Sequence, residues 1–139
     1  MIRAGQKVFV DTGAWLALAL TGDTHHERAA EGLRALLRNG AKLCTSVPVV
    51  IETFTYLQRK IDARLALAWS EGLRRRPGTP VLACNPEDIA EAWQWLERRD
   101  FHKLSIVDAT SFVLIRKHRI RHVLGFDTHF AQAGFHLVA

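Results

Sequence analysis

The sequence has no long hydrophobic run, only two cysteines and no low-complexity stretch, and each absence removes a class of protein. A bilayer crossing takes roughly 20 consecutive apolar residues, and the apolar run Ala14–Leu20 is far shorter than that. No N-terminal succession of charged, apolar and cleavage regions marks a secretory signal, so a cytoplasmic protein is the expectation. Cys44 and Cys84 lie far apart and show no Cys-x-x-Cys spacing. That argues against a thiolate metal site or a disulfide-stapled fold and leaves both as small apolar core residues. No internal repeat or Pro/Gly/Ser-rich linker divides the chain. It reads as one domain over residues 1–139, long enough to bury a real core.

What is present is globular composition with a basic surplus. Hydrophobic residues make up 48% and charged residues 24%, which excludes disorder. Lys and Arg number 19 against 14 Asp and Glu, for a net charge of +5. If a few acids are drawn into one pocket, the remaining surface is more basic than the total suggests. That balance favours a polyanionic partner such as nucleic acid.

Strand patterns alternate with helical ones along the whole chain. Lys7–Asp11 is a short β-branched apolar run that stops on a carboxylate, and Thr12 or Gly13 opens a helix through about Leu20. Thr24 with Glu27 three residues on has the form of a capping box. It opens a helix carrying Ala29, Ala30, Leu33, Leu36 and Leu37, which Asn39-Gly40 ends. Lys42–Thr45 is a strand, and Ser46-Val47-Pro48 starts a helix with Ser46 as its cap. Asp62–Arg75 is a further helix that Pro77-Gly78 stops, and residues 80–84 a short strand. Asn85-Pro86-Glu87-Asp88 is a cap followed by proline and first-turn acids. Its helix carries Ile89, Ala92, Trp93 and Leu96. After a loop at Asp100–Leu104, Ser105 starts a helix that ends on the basic cluster Arg116–Arg121. His122–Phe126 and Phe135–Val138 are the last strands. This alternation predicts a parallel sheet with helices on both faces.

Parallel sheets place strand C-termini and helix N-termini on one edge, where ligand crevices form. Four acids belong to that edge: Asp11 and Asp127 follow strands, and Glu52 and Asp108 sit near helix starts. Clustered carboxylates repel unless some stay protonated or a cation joins them. Oxygen ligands suit a hard divalent ion such as Mg²⁺ or Mn²⁺, and such a site supports metal-assisted phosphodiester hydrolysis. Each acid also has a structural reading. Asp11 is placed to cap the next helix, Asp108 closes a Ser-x-x-Asp box with Ser105, Glu52 favours a helix N-terminus, and Asp127 is placed to cap a turn.

Four segments carry a family resemblance: Phe9-Val10-Asp11-Thr12-Gly13-Ala14-Trp15, the helical Glu52, Leu104-Ser105-Ile106-Val107-Asp108-Ala109, and Gly125-Phe126-Asp127-Thr128-His129-Phe130. In order and spacing they resemble the PIN domain, and within it the VapC-type toxins of toxin–antitoxin pairs. The resemblance covers nearly the whole chain. It implies a three-layer α/β/α sandwich around a parallel sheet and a Mg²⁺- or Mn²⁺-dependent endoribonuclease, the toxin of a type II module. By position, Asp11 and Asp108 are then the main metal ligands, with Glu52 and Asp127 completing a catalytic acid site directly or through water. The implied partners are an RNA substrate, a small VapB-like antitoxin that covers the acidic crevice, and a second copy in a homodimer. The family often carries serine where this chain has Gly13, and Thr12 is placed to substitute for that hydroxyl.

Other readings stay open: an RNA-processing PIN nuclease without an antitoxin, or a non-catalytic PIN-fold scaffold for RNA or protein. An aspartyl-phosphate phosphatase is disfavoured, because Asp11-Thr12-Gly13-Ala14 lacks the second aspartate of that motif. His25 and His26 are adjacent on a helix, point about 100° apart and make a poor chelating pair. His129 is placed to touch a phosphate. Arg74-Arg75-Arg76 and Arg116–Arg121 are phosphate-contact candidates, although cations are favourable at helix C-termini in any case. Trp93 reads as core, whereas Trp95, off the apolar stripe, reads as a partner-facing aromatic. Asp100 stays outside the acid set.

Overall fold

The computed structural model describes residues 2–75 and 78–138. Five parallel strands, β1 (Lys7–Val10), β2 (Lys42–Ser46), β3 (Val81–Leu82), β4 (His122–Leu124) and β5 (His136–Val138), line up in the order β3-β2-β1-β4-β5. The helices are α1 (Thr12–Ala19), α2 (His26–Arg38), α3 (Val47–Tyr56), α4 (Ala63–Arg74), α5 (Pro86–Glu97), α6 (Ile106–Lys117) and α7 (His129–Gln132). A π-helical turn, Leu57–Ile61, joins α3 to α4. This is the α/β/α sandwich that the alternating pattern predicts.

The two faces are built by the period-2 alternation of β1. Val8 and Val10 pack with Ala14, Leu36 and Leu124 under α1 and α2. Phe9 points the other way, into a core of Cys44, Phe112, Ile115, Val123 and Phe130. Helix α6 fills the centre of that second layer: every residue from Ala109 to Ile115 is buried. Its two hydroxyls in that stretch, Thr110 and Ser111, both donate to the Val107 carbonyl, so the helix can be buried all round.

Strand order is what makes the site. The chain adds β2 and β3 on one side of β1, then returns to place β4 on the other side. The crevice of a parallel sheet opens where the order reverses, beyond the carboxyl ends of the strands on either side. Here those are β1 and β4, the two that Asp11 and Asp127 follow.

Local chemistry explains most helix starts. Ser46 caps α3, its Oγ accepting from the Val49 N–H at 3.3 Å, and Ser105 caps α6 through the Asp108 N–H at 3.0 Å. The Thr24–Glu27 box does not form. Helix α2 begins at His26, and the Asp23 Oδ1 instead accepts from the His25 N–H at 2.8 Å. Asp23 is as good an acceptor as Thr24, and it closes a tighter turn. The tryptophan expectation is reversed: Trp93 is 51% exposed, whereas Trp95 packs edge-on against Phe101 and Phe112. The stripe of α5 runs through Asp88, Ala92 and Trp95, because α6 lies across that line. Cys44 is buried as expected, but Cys84 is only half-buried, and both are free thiols. Helix α7, a single turn after Asp127, had no periodic signal. Arg76 and Pro77, part of the predicted helix stop and basic run, lie outside the described residues.

Candidate active site

Each of the four acids reaches the carboxyl edge by a different route. Asp11 follows β1, its N–H donating to the Leu124 carbonyl at 3.0 Å, so β4 fixes it across the switch point. It occupies the capping position of α1 with extended backbone, φ −85° and ψ 164°, yet its side chain makes no capping bond. Its Oδ1 is buried without a partner. The strand end beneath it is held from the other side. The Thr45 hydroxyl donates to the Val10 carbonyl at 2.9 Å and accepts from the Trp15 indole N–H at 3.1 Å. Trp15 therefore supports the strand end and, in this position, is not a base-stacking surface.

Asp108 lies in the first turn of α6, where the Ser105 cap sets its backbone. Asp127 arrives three residues beyond the end of β4 at Leu124, and its Oδ1 accepts from the His129 N–H at 2.9 Å. The His129 ring lies over the same pair, with Nδ1 3.0 Å from Asp127 Oδ1 and 3.9 Å from Asp108 Oδ2. Ligand atoms of Asp108, Asp127 and His129 all fall within 4.8 Å of one another. The other ring nitrogen, Nε2, lies 2.6 Å from the His102 carbonyl. A carbonyl only accepts, so Nε2 carries a hydrogen, and this contact turns the Nδ1 edge of the ring toward the acids. Nδ1 is buried and makes no directed hydrogen bond there. Sequence spacing placed His129 near the site; only the fold shows that it enters the acid cluster.

Glu52, in the second turn of α3, is half-buried at the rim, close enough for its charge to act on both Asp11 and Asp108. The electrostatics follow from this convergence. Burial above all pushes the Asp11 carboxyl up to about 8, with the charge of Asp108 adding to it and those of Glu52 and Asp127 adding less. The Thr12 N–H is the opposing influence. Asp108 is pushed up to about 7, again first by burial and then by Asp127 and Glu52, against the Ser105 side chain. Acids so arranged either hold protons or hold a cation.

The donors that lie together, the carboxylates of Asp108 and Asp127 with one imidazole nitrogen, suit a hard divalent ion. Asp11, with its orphaned buried Oδ1, and Glu52 lie outside that group but near enough for their charges to act on it. Gly125 lets the turn after β4 pack closely on Asp11. A Cβ there would lie 3.2 Å from the Cβ of Asp11. Gly13, by contrast, is open, with nothing within 4 Å of an added Cβ. The missing family serine is therefore not a steric requirement of this turn. The Thr12 hydroxyl beside it is buried and unpartnered.

The remaining candidates do other work. His26 Nδ1 meets the Ala17 carbonyl at 2.7 Å and ties α2 to α1. His25 stacks on Phe126 with ring centroids 4.3 Å apart. Asp100 pairs with Arg98 at the surface, outside the cluster. Arg74 folds back on Ser70, its Nε donating to the Ser70 carbonyl at 3.2 Å.

Comparison with known proteins decides the family. The PIN domain matches residues 8–136. The chain belongs to the PIN domain family. Among curated proteins, this PIN domain is 37% identical over 128 residues to a 23S rRNA-specific endonuclease, VapC20 of Mycobacterium tuberculosis, covering 92% of this chain and 95% of the relative. The crystal structure of that toxin, described as cleaving the sarcin–ricin loop, superposes with a TM-score of 0.81 at 36% identity over 92% of this chain and 95% of that one. VapBC2 from Rickettsia felis shares the fold at a TM-score of 0.71 and 10% identity, covering 95% of this chain and 97% of that one. Among the described residues, no helix of this PIN domain is long and apolar enough to cross a membrane.

Proposed function

We propose that this PIN domain is a Mg²⁺- or Mn²⁺-dependent endoribonuclease, the toxin of a type II toxin–antitoxin pair acting in the cytoplasm. One observation carries the reading: Asp11 is buried, its Oδ1 has no partner, and three further acids bear on it. The 37% identity to an rRNA-specific endonuclease supports the choice of RNA, and 23S rRNA is the first substrate to test.

A bound cation supplies Lewis-acid stabilisation of the phosphoryl oxygens and a more acidic attacking water. The chain does the rest. Asp11 and Asp108 are the principal ligands, and Glu52 and Asp127 complete the catalytic acid site, directly or through water. The His129 N–H holds the Asp127 carboxylate, and the His129 ring closes the side of the cluster next to the Phe101–His102 loop. Gly125 lets the turn after β4 lie close against Asp11.

The partner reading has its own support. An apolar groove of about 660 Å³ runs from Glu52 along α3, lined by Val47, Ile51, Tyr56, Ile106 and Val107. Ile51 is 60% exposed there, more apolar surface than a solvated helix needs to show. We assign this groove to the antitoxin, whose occupancy beside Glu52 covers the acid crevice. A homodimer stays part of the proposal, to be read from light scattering of the free protein.

Cleavage-site mapping on ribosomal and total RNA, with and without Mn²⁺, tests the function. The wild type is expected to cut at discrete positions. Asp11→Asn and Asp108→Asn should each lose more than the about 10–100-fold typical of removing an outer-shell group. Undiminished cleavage by Asp11→Asn sinks the assignment.

A further inference from the structure

The amino ends of the strands carry a second charged surface, opposite in sign to the first. β1 opens on Lys7, β2 on Lys42, β4 on His122 and β5 on His136. The register sets Lys7 beside Lys42 and His122 beside His136, the two imidazole rings 5.5 Å apart. Two clefts flank the turn from α6 into β4. One, of about 300 Å³, is bounded by Lys7, His118 and His122. The other, of about 460 Å³, is bounded by Arg116, Phe135 and His136. Arg119 and Arg121 line both clefts, and among the described residues no carboxylate lines either. Among the described residues, Lys7, Arg119 and Arg121 enter no ion pair, and His122 Nδ1 is buried without a partner.

Arg119 is the telling residue. It follows the last turn of α6 with φ +56°, the left-handed conformation that closes a helix. Glycine adopts it freely, and an arginine there works against its own backbone preference. Arg121 lines the same two clefts and Lys7 one of them, and among the described residues Arg119 pairs with no acid. Basic side chains, clefts and an absent acid together describe a site that lacks its anion.

We propose that this amino edge binds the backbone phosphates of a folded RNA while another segment of the same RNA occupies the acid crevice. The proposal rests on the nuclease reading above and adds to it a second contact surface for the same RNA, remote from the acids. β1 separates the two surfaces by about 13 Å, at about 3.3 Å per residue from Lys7 to Asp11, with the domain between them. A single strand just long enough to fill the crevice stays on the carboxyl edge, because the way to the amino edge runs round the domain. A folded RNA has neighbouring segments that do, and phosphate contacts of this kind fix position without reading sequence.

The test uses the full chain in EDTA, so that binding is read apart from cleavage. Fluorescence anisotropy compares an RNA hairpin with a long duplex stem and a short single-stranded RNA, across about 50 to 200 mM salt. Arg119→Gly and Arg121→Gln are each expected to weaken hairpin binding several-fold and to lower the salt slope by about one unit. Arg119→Gly should do so with an unchanged or higher Tm, since it relieves the backbone, which a merely structural role does not predict. Wild-type affinity and slope in both variants overturns the proposal, as does a wild type that fails to bind the hairpin. An equal loss on the short strand overturns it too, by placing these residues on the path to the crevice. So does a larger loss on duplex DNA than on RNA. Failure of the nuclease reading registers separately, as absence of Mn²⁺-dependent cleavage by the wild type.

Discussion

Two aspartates of this protein are buried to the same degree, 4% exposed each, and they sit in opposite circumstances. Asp88 begins α5. Its Oδ2 accepts from the Asn85 N–H at 2.8 Å, and Lys117 of α6 reaches its Oδ1 at 3.1 Å. Burial acts to raise Asp88, but these partners outweigh it and hold the carboxyl below its usual range. Asp11 begins α1 in the same way, yet caps nothing, pairs with no cation, and is pushed up to about 8 by burial and by Asp108. A buried acid that the fold satisfies is structural. One that the fold brings in, desolvates and leaves with an unpartnered oxygen is a candidate functional group.

Exchanging each aspartate for asparagine breaks the comparison most sharply. Asp11→Asn should abolish metal-dependent cleavage and, in metal-free protein, raise stability at neutral and alkaline pH. The sign follows from the raised value: the folded state keeps a proton that the unfolded chain releases near 3.8. Stability from this group is then full below that pH and is lost as pH rises through about 8. Thermal melts in EDTA from pH 5 to 9 should therefore fall for the wild type (about pH 5 to 9 brackets the shift). They should fall less steeply in Asp11→Asn, which keeps the raised Asp108, and added Mn²⁺ should restore only the wild type. A wild-type melt that rises with pH in EDTA contradicts this.

Gly125→Ala tests the crevice by geometry alone. Its Cβ, 3.2 Å from the Cβ of Asp11, should displace that residue by a few tenths of an ångström. Misplacement on this scale is expected to cost about tenfold in turnover and to weaken Mn²⁺ binding by calorimetry. An undisturbed Mn²⁺ affinity shows that the turn yields elsewhere.

Asp88→Asn should do the reverse of Asp11→Asn. It loses a cap and half of an ion pair to Lys117, whose side chain is 46% exposed, so solvent screening limits the loss to about 1–2 kcal/mol. A lower Tm with retained turnover is the expected result. Loss of cleavage at unchanged Tm means the seam between α5 and α6 is itself part of the site.

The legible part of the site was the part that chain direction alone dictates. A strand ending on Asp11, another ending near Asp127, and helices opening at Glu52 and Asp108 all have to meet at one edge once the sheet is parallel. His129 was visible only as a neighbour, because its entry into the cluster depends on the His102 carbonyl that turns its ring. The tryptophans of α5 were misjudged because two residues of like size sit on opposite sides of one helix. Composition does not say which side α6 covers. Thr24 lost to Asp23 as the acceptor at the start of α2, a competition between similar side chains that loop geometry settles.

By itself, the sequence determined the layers, the parallel sense of the sheet and the edge that gathers the acids, because hydrophobic period and strand–helix alternation are local properties. Tertiary structure decided which acids are satisfied. Whether Asp88 finds Lys117 and Asp11 finds nothing depends on groups brought together from distant parts of the chain, and so on the order β3-β2-β1-β4-β5 that no single segment contains.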